Sequence, residues 1–211
     1  MRVLPNLIGV QEKMPQLEKQ LQTVGSLGIV GMGGIGKSTL AKALSNHVSD
    51  HFDAICFVDD LKDETCTFAY KPKSRDMQDS PPQAKTLRKT RDVLEQVRKT
   101  KKILLVVDNV SKQSQLCQLL GDSMFKDVDG MGLITSSRDW ESLKGHVPIV
   151  GKVDMQTLDG NQPMRLFSRH AFGTNQSCLP YLEHMVGKIV NACCGLPLSL
   201  EVMGTCMQGE T

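Results

Sequence analysis

Gly31-Met32-Gly33-Gly34-Ile35-Gly36-Lys37-Ser38 fits the spacing G-x-x-x-x-G-K-[ST], the Walker A phosphate-binding loop. The flanks agree with that reading. Leu27-Gly28-Ile29-Val30 is a short apolar run that predicts a strand. Residues 39–48 follow with helix-favouring residues and apolar positions at Leu40, Ala43 and Leu44. Strand, glycine loop and helix in that order form the setting a phosphate loop requires. Glycines let backbone N–H groups turn onto phosphate oxygens, and the helix N-terminus adds its partial positive charge. Lys37 would reach the β- and γ-phosphates of ATP, of which ADP keeps the β. Ser38 would ligate Mg²⁺, and Thr39 would lie near the α-phosphate.

The chain has 211 residues, which suits one full α/β domain and part of another. Its charge is nearly balanced, with 25 basic and 23 acidic residues and a net of +2. That is too balanced to imply nucleic acid or an anionic membrane as a partner on charge alone. No apolar run reaches the roughly 18 residues of a membrane span. Residues 1–11 lack the apolar core of a signal peptide. The seven cysteines (56, 66, 117, 178, 193, 194 and 206) are odd in number and form no C-x-x-C. They predict free thiols in a reducing, cytoplasmic compartment. Cys193-Cys194 reads as a pair of small buried residues at a helix end rather than a metal or redox site.

Outward from the loop, helical spacing predicts a helix over residues 10–23. Ala54-Ile55-Cys56-Phe57-Val58 predicts a second buried strand. Residues 62–83 turn polar and proline-containing, which predicts a surface loop. Residues 84–100 form a charged amphipathic helix whose basic residues lack interleaved aromatics, so a solvated face is expected rather than a nucleic-acid surface. Ile103-Leu104-Leu105-Val106-Val107 is apolar throughout and predicts a central parallel strand. A short helix over 113–120 and strands over 131–135 and 147–150 follow. After Asp154 only helical patterns remain, over 161–172, 179–193 and 197–207. The expectation is a P-loop parallel sheet flanked by helices over residues 1–153, then a small, truncated helical domain over 154–211.

The remaining parts of a nucleotide site are legible at strand ends. Asp108 closes the run 103–107 in the Walker B pattern, where an acid orients Mg²⁺. Asn109 follows, where many ATPases carry a second acid that polarises the attacking water. An amide positions water but accepts no proton. ATP hydrolysis is therefore expected to be slow at most. Arg138 stands after the strand 133–135. On spacing alone it is either a γ-phosphate sensor in cis or an ordinary surface arginine.

Several motifs occur in one order. They are Leu7-Ile8-Gly9-Val10, the loop Gly31 to Thr39, His51-Phe52-Asp53-Ala54-Ile55-Cys56-Phe57 and Leu104-Leu105-Val106-Val107-Asp108-Asn109-Val110. Gly132-Leu133-Ile134-Thr135-Ser136-Ser137-Arg138-Asp139 follows, then Leu158, Leu166-Phe167 and Ala171-Phe172, and last Gly195-Leu196-Pro197-Leu198. Together they resemble the NB-ARC module of plant nucleotide-binding leucine-rich-repeat immune receptors, in the form found with a TIR-type N-terminus. The resemblance spans nearly the whole chain. It implies that Arg138 senses the γ-phosphate, that Ile8 and Gly9 line the adenine, and that Pro197 packs near the base and ribose. It also implies a signalling ATPase, off with ADP and on with ATP.

Two departures qualify the expectation. Asn109 replaces the Asp usual at the second acidic position. The winged-helix part with its M-H-D histidine and the leucine-rich repeats have no counterpart in these residues, and a helical domain cut short is expected to expose apolar surface. Two readings follow. One is an ADP/ATP switch module that pairs with its own missing domains. The other is a catalytically idle interaction protein that pairs with full-length receptors. An ordinary P-loop kinase or AAA-type ATPase does not account for Gly195-Leu196-Pro197-Leu198 or for the Ile8-Gly9 segment.

Overall fold

Strand β4 (Ile103–Val110) is buried at every position except Asn109, as its uninterrupted apolar run requires of a strand covered on both faces. In the computed structural model it lies inside a six-stranded sheet of order β3-β2-β4-β5-β1-β6. The other strands are β1 (Ser26–Val30), β2 (Ala54–Asp59), β3 (Thr67–Pro72), β5 (Met131–Ser137) and β6 (Gly151–Asp154). The structure describes residues 8–59, 61, 64–73, 85–126, 131–144, 151–173 and 182–208, with the backbone alone at 122–126.

β1, β2, β4, β5 and β6 pair in parallel, as the alternation of strand and helix patterns predicts. Helix α1 (Met14–Val24) precedes the first strand, and α2 (Lys37–His47), α3 (Leu87–Arg98) and α4 (Gln113–Lys126), the last broken at Gly121, lie between later ones. Each covers the sheet with its apolar stripe. α3 buries Leu87, Thr90, Val93 and Leu94, and Thr86 caps it by accepting from the Lys89 amide at 3.4 Å. Leu94, Leu116, Leu119 and Leu120 join Ile103, Leu105 and Val107 in the core beneath.

The polar stretch 62–83 is not wholly a loop. Its residues Thr67–Pro72 form β3, antiparallel to β2 from Ala54↔Pro72 to Asp59↔Thr67. Exposure alternates along it, with Phe68 and Tyr70 turned onto the core and Thr67, Ala69 and Lys71 outward. The prolines and lysines around it masked a period-2 pattern only six residues long. Pro72 stands at the end of this edge strand, where a missing N–H costs little. The strand expected at 147–150 lies outside the described residues, and the final strand is Gly151–Asp154 instead. The strands expected to end at 107 and 135 run on to Val110 and Ser137.

Helices α5 (Gln162–Phe172), α6 (Glu183–Ala192) and α7 (Pro197–Met207) follow the sheet. Residues 179–181, expected to open α6, lie outside the described residues. Phe167, Ala171, Val186, Val190, Cys193 and Leu200 form a separate core among these helices. α7 also leaves Leu198, Val202 and Met203 exposed. Two compact units result. The described residues of 13–31 and 37–154 form one, and those of 8–12, 32–36 and 155–208 form the other. The tip of the phosphate loop, Met32–Gly36, thus clusters with the helical unit, while Gly31 and Lys37 cluster with the sheet. Among the described residues no helix is long and apolar enough to cross a membrane. All six described cysteines are free thiols. Cys193 is buried but Cys194 is exposed, so the expectation that both are buried fails at the second. Cys178 lies outside the described residues.

Candidate functional site

β1 ends at Val30, and Gly31 donates its amide to the Ser137 carbonyl at 3.3 Å, which ties the start of the phosphate loop to the end of β5. The loop runs to Lys37, the first residue of α2. A lysine is rarely buried without partners, yet Lys37 is only 8% exposed. Its ammonium donates to the Gly31 carbonyl at 2.8 Å. Burial pulls its pKa below the usual lysine value of 10.5, the nearby Arg138 guanidinium pulls it further, and Asp108 opposes both. Lys37, Arg138 and Asp108 therefore share one electrostatic neighbourhood, at the ends of adjacent strands β4, β5 and β1. Ser38 and Thr39, half-buried, complete the first turn of α2.

The end of β4 departs from regular pairing. Val107 pairs with Thr135 and Val110 with Ser137, so Asp108 and Asn109 together stand opposite Ser136. Asn109 takes φ of 58°, a left-handed conformation that asparagine tolerates better than most residues. Two serines satisfy the groups this irregularity frees from the ladder. Ser136 donates its hydroxyl to Asp108 Oδ1 in a short hydrogen bond and accepts the Asn109 amide at 2.9 Å. The Asn109 amide also reaches Asp108 Oδ1, at 3.1 Å. Ser137 donates to the Val110 carbonyl at 2.7 Å and accepts the Asp139 amide at 3.2 Å. Asp108 is thereby 7% exposed, while Asn109 and Arg138 are exposed.

In the helical unit, Ile8 and Gly9 lie in a turn ahead of a 3-10 helix at Gln11–Lys13. A Cβ on Gly9 would come within 2.8 Å of Leu158 Cδ2 and 2.9 Å of Gln162 Oε1, so this turn packs on the start of α5. Pro197 occupies the first turn of α7, where its missing N–H goes unneeded. The Leu198 amide donates to the Gly34 carbonyl at 3.2 Å. Gly34 has φ of +77° and a Cβ there would stand 2.8 Å from Leu198 Cβ, so glycine is required on both counts. In the same loop Met32 is exposed, Gly33 is exposed, Ile35 is buried and Gly36 is half-buried.

Of the site residues the sequence nominates, Gly31, Lys37, Ser38, Thr39, Asp108, Asn109 and Arg138 fall in the sheet unit. Ile8, Gly9, Met32, Gly33, Gly34, Ile35, Gly36 and Pro197 fall in the helical unit. Ser136 and Leu158 were legible as motif letters but not as working parts. A serine opposite a strand-ending Asp-Asn pair is a signal only once strand register is known. The donor set suits Mg²⁺, which prefers hard oxygen ligands and keeps most of its water. Asp108 has Oδ1 committed to two donors and a second oxygen remaining, and the Ser38 hydroxyl opens the same helix as Lys37.

A glycine loop between a parallel strand and a helix, with a buried lysine and a strand-ending aspartate beside it, defines a P-loop NTPase fold. Solved structures agree at the level of fold. A Walker-type ATPase of Pyrococcus abyssi superposes with a TM-score of 0.58 at 14% identity over 96% of this chain and 68% of that one. The Thermotoga maritima RuvB branch migration motor superposes with a TM-score of 0.58 at 13% identity over 97% of this chain and 63% of that one. The NB-ARC domain profile matches residues 10–177, and the chain belongs to the NB-ARC family. Relatives include the disease resistance-like protein DSC1 of Arabidopsis thaliana, 29% identical over 94% of this chain and 17% of its own length. RUN1 of Vitis rotundifolia is 28% identical over 98% and 16%. The TMV resistance protein N of Nicotiana glutinosa is 26% identical over 96% and 18%. The chain thus spans less than a fifth of the length of these relatives.

Proposed function

We propose that this chain is the ADP/ATP-binding switch module, of the STAND type, of a plant immune receptor, dependent on Mg²⁺ and slow in ATP hydrolysis. The observation that supports this best is the grouping of Lys37, Asp108 and Arg138 at the ends of adjacent strands. Lys37 contacts the β- and γ-phosphates. Ser38 and Asp108 hold the metal, which when bound neutralises charge between those phosphates. Arg138 senses the γ-phosphate in cis. Gly31 to Thr39 cradle the phosphates through backbone amides, and Ile8, Gly9 and Pro197 line the base and ribose. Residues 1–153 carry the phosphate chemistry and residues 154–211 a helical domain, in a cytoplasmic protein.

Asn109 is the chemical reason for slow turnover. Its side chain can hold a water in place but cannot accept the proton that water must lose. The same residue favours a second reading, an idle module that pairs with other NB-ARC receptors and uses nucleotide only to stabilise its fold. The nucleotide released on denaturing freshly purified protein, identified by ion-exchange chromatography, tests both. ADP or ATP near one per chain supports the switch. Bound nucleotide without measurable steady-state turnover favours the idle module, and a chain that releases none, and that binds none when ATP and Mg²⁺ are added, overturns the switch.

A further inference from the structure

We propose that Ser136 is the positioning residue that sets the metal dependence of nucleotide binding, by fixing Asp108 Oδ1 and leaving Oδ2 to the metal and its water. The inference rests on the reading of the phosphate site given above. A serine hydroxyl has one proton to give. Here it goes to Asp108 Oδ1, while the hydroxyl oxygen accepts the Asn109 amide at 2.9 Å. The Asn109 amide also reaches Oδ1 at 3.1 Å, so one carboxylate oxygen receives two donors. Charge-assisted bonds of this kind fix the rotation of the carboxylate before any ligand arrives.

Ser137 sets the control. It is the same residue type, equally buried at 1% exposure, on the same strand. Its hydroxyl donates to the Val110 carbonyl and so repairs the ladder, where the Ser136 hydroxyl donates to the carboxylate. Loss of Ser137 removes a structural bond; loss of Ser136 also frees the metal-side oxygen pair. Arg138 follows two residues on, so the strand end that sets Asp108 is also the one that carries the proposed phosphate sensor.

The test is the ATP dissociation constant of the full chain with Mg²⁺ and with EDTA, read as the ratio of the two. Metal-free affinity serves as internal control for folding and for the phosphate loop. Ser136→Ala is expected to cut the Mg²⁺ enhancement by at least about tenfold, a change of about 1.4 kcal/mol. Ser136→Thr, which keeps the hydroxyl, and Ser137→Ala are expected to retain it. If Ser136→Ala does not fold, Ser136→Cys keeps the volume with a weaker donor and carries the same test. An unchanged ratio in Ser136→Ala overturns the proposal, as does an equal loss in Ser137→Ala or a wild-type chain that binds ATP equally well without metal. A wild-type chain that binds no ATP in either condition removes the underlying reading as well, so the two failures are distinct.

Discussion

The amide of Leu158 donates to the carbonyl of Gly195 at 2.9 Å, and the Leu158 carbonyl oxygen occupies the space a Cβ on Gly195 would need. Gly195 has φ of +70°, so a side chain there meets both a left-handed backbone and a rigid neighbour. This pair ties the entry of α5 to the turn before α7.

Gly195→Ala is therefore expected to destabilise the helical unit by about 3 kcal/mol, from left-handed strain plus a clash with backbone. Gly160→Ala is the matched control. It has φ of +54° but nothing within 4 Å of an added Cβ, so only the ~1–2 kcal/mol strain applies. Gly187→Ala, inside α6 with open space around it, is expected to stabilise by about 0.5–1 kcal/mol. Urea midpoints of the three variants check the order.

Asn109→Asp is expected to fold normally, because aspartate also tolerates the left-handed conformation found there. It restores a group able to accept a proton. Steady-state phosphate release from ATP should rise at least about tenfold, toward the ~10²–10⁴ a general base contributes. An unchanged rate shows that hydrolysis is limited elsewhere.

Lys37→Met should weaken ATP binding by about 10- to 100-fold, matching the ~1.5–3 kcal/mol of a hydrogen bond to a charged group. It also has a signature without nucleotide. Burial holds the Lys37 ammonium below the 10.5 of the unfolded chain. Below 10.5, then, the unfolded chain binds more protons, and folding stability rises with pH across the window up to that value. The stability of the wild type relative to Lys37→Met should therefore increase as pH is raised from neutral toward 10.5. Other titrating groups are common to both proteins and cancel. A flat difference would count against a buried, strained charge.

Burial pushes the Cys56 thiol up to about 12. It stays protonated when folded, and above pH 9 the unfolded chain releases its proton first, so this group favours unfolding between 9 and about 12. At neutral pH a thiol reagent should modify Cys194 and Cys206, which are exposed, and leave Cys56 and Cys66 intact. Mass mapping of the labelled peptides reads the outcome directly.

How far the sequence could be read follows from the range of each signal. The phosphate loop, β4 and α7 were legible because local spacing decides them, and α7 begins and ends where its proline and helical period predict. β3 was hidden because its alternation is brief and set among polar neighbours, and its identity depends on pairing with β2. Ser136 and Leu158 act through residues 28 and 37 positions away, Asp108 and Gly195, a separation no local pattern reports. In the sequence Asn109 signals only a change of side-chain chemistry; its backbone conformation shows that the position also suits residues at ease in a left-handed turn.

The Lys37 ammonium already rests on the Gly31 carbonyl. An ammonium has three protons to donate, and the Gly31 carbonyl takes one of them. Under the nucleotide reading proposed above, a phosphate would share this cation with the chain's own backbone, so the loop anchors the very charge it offers.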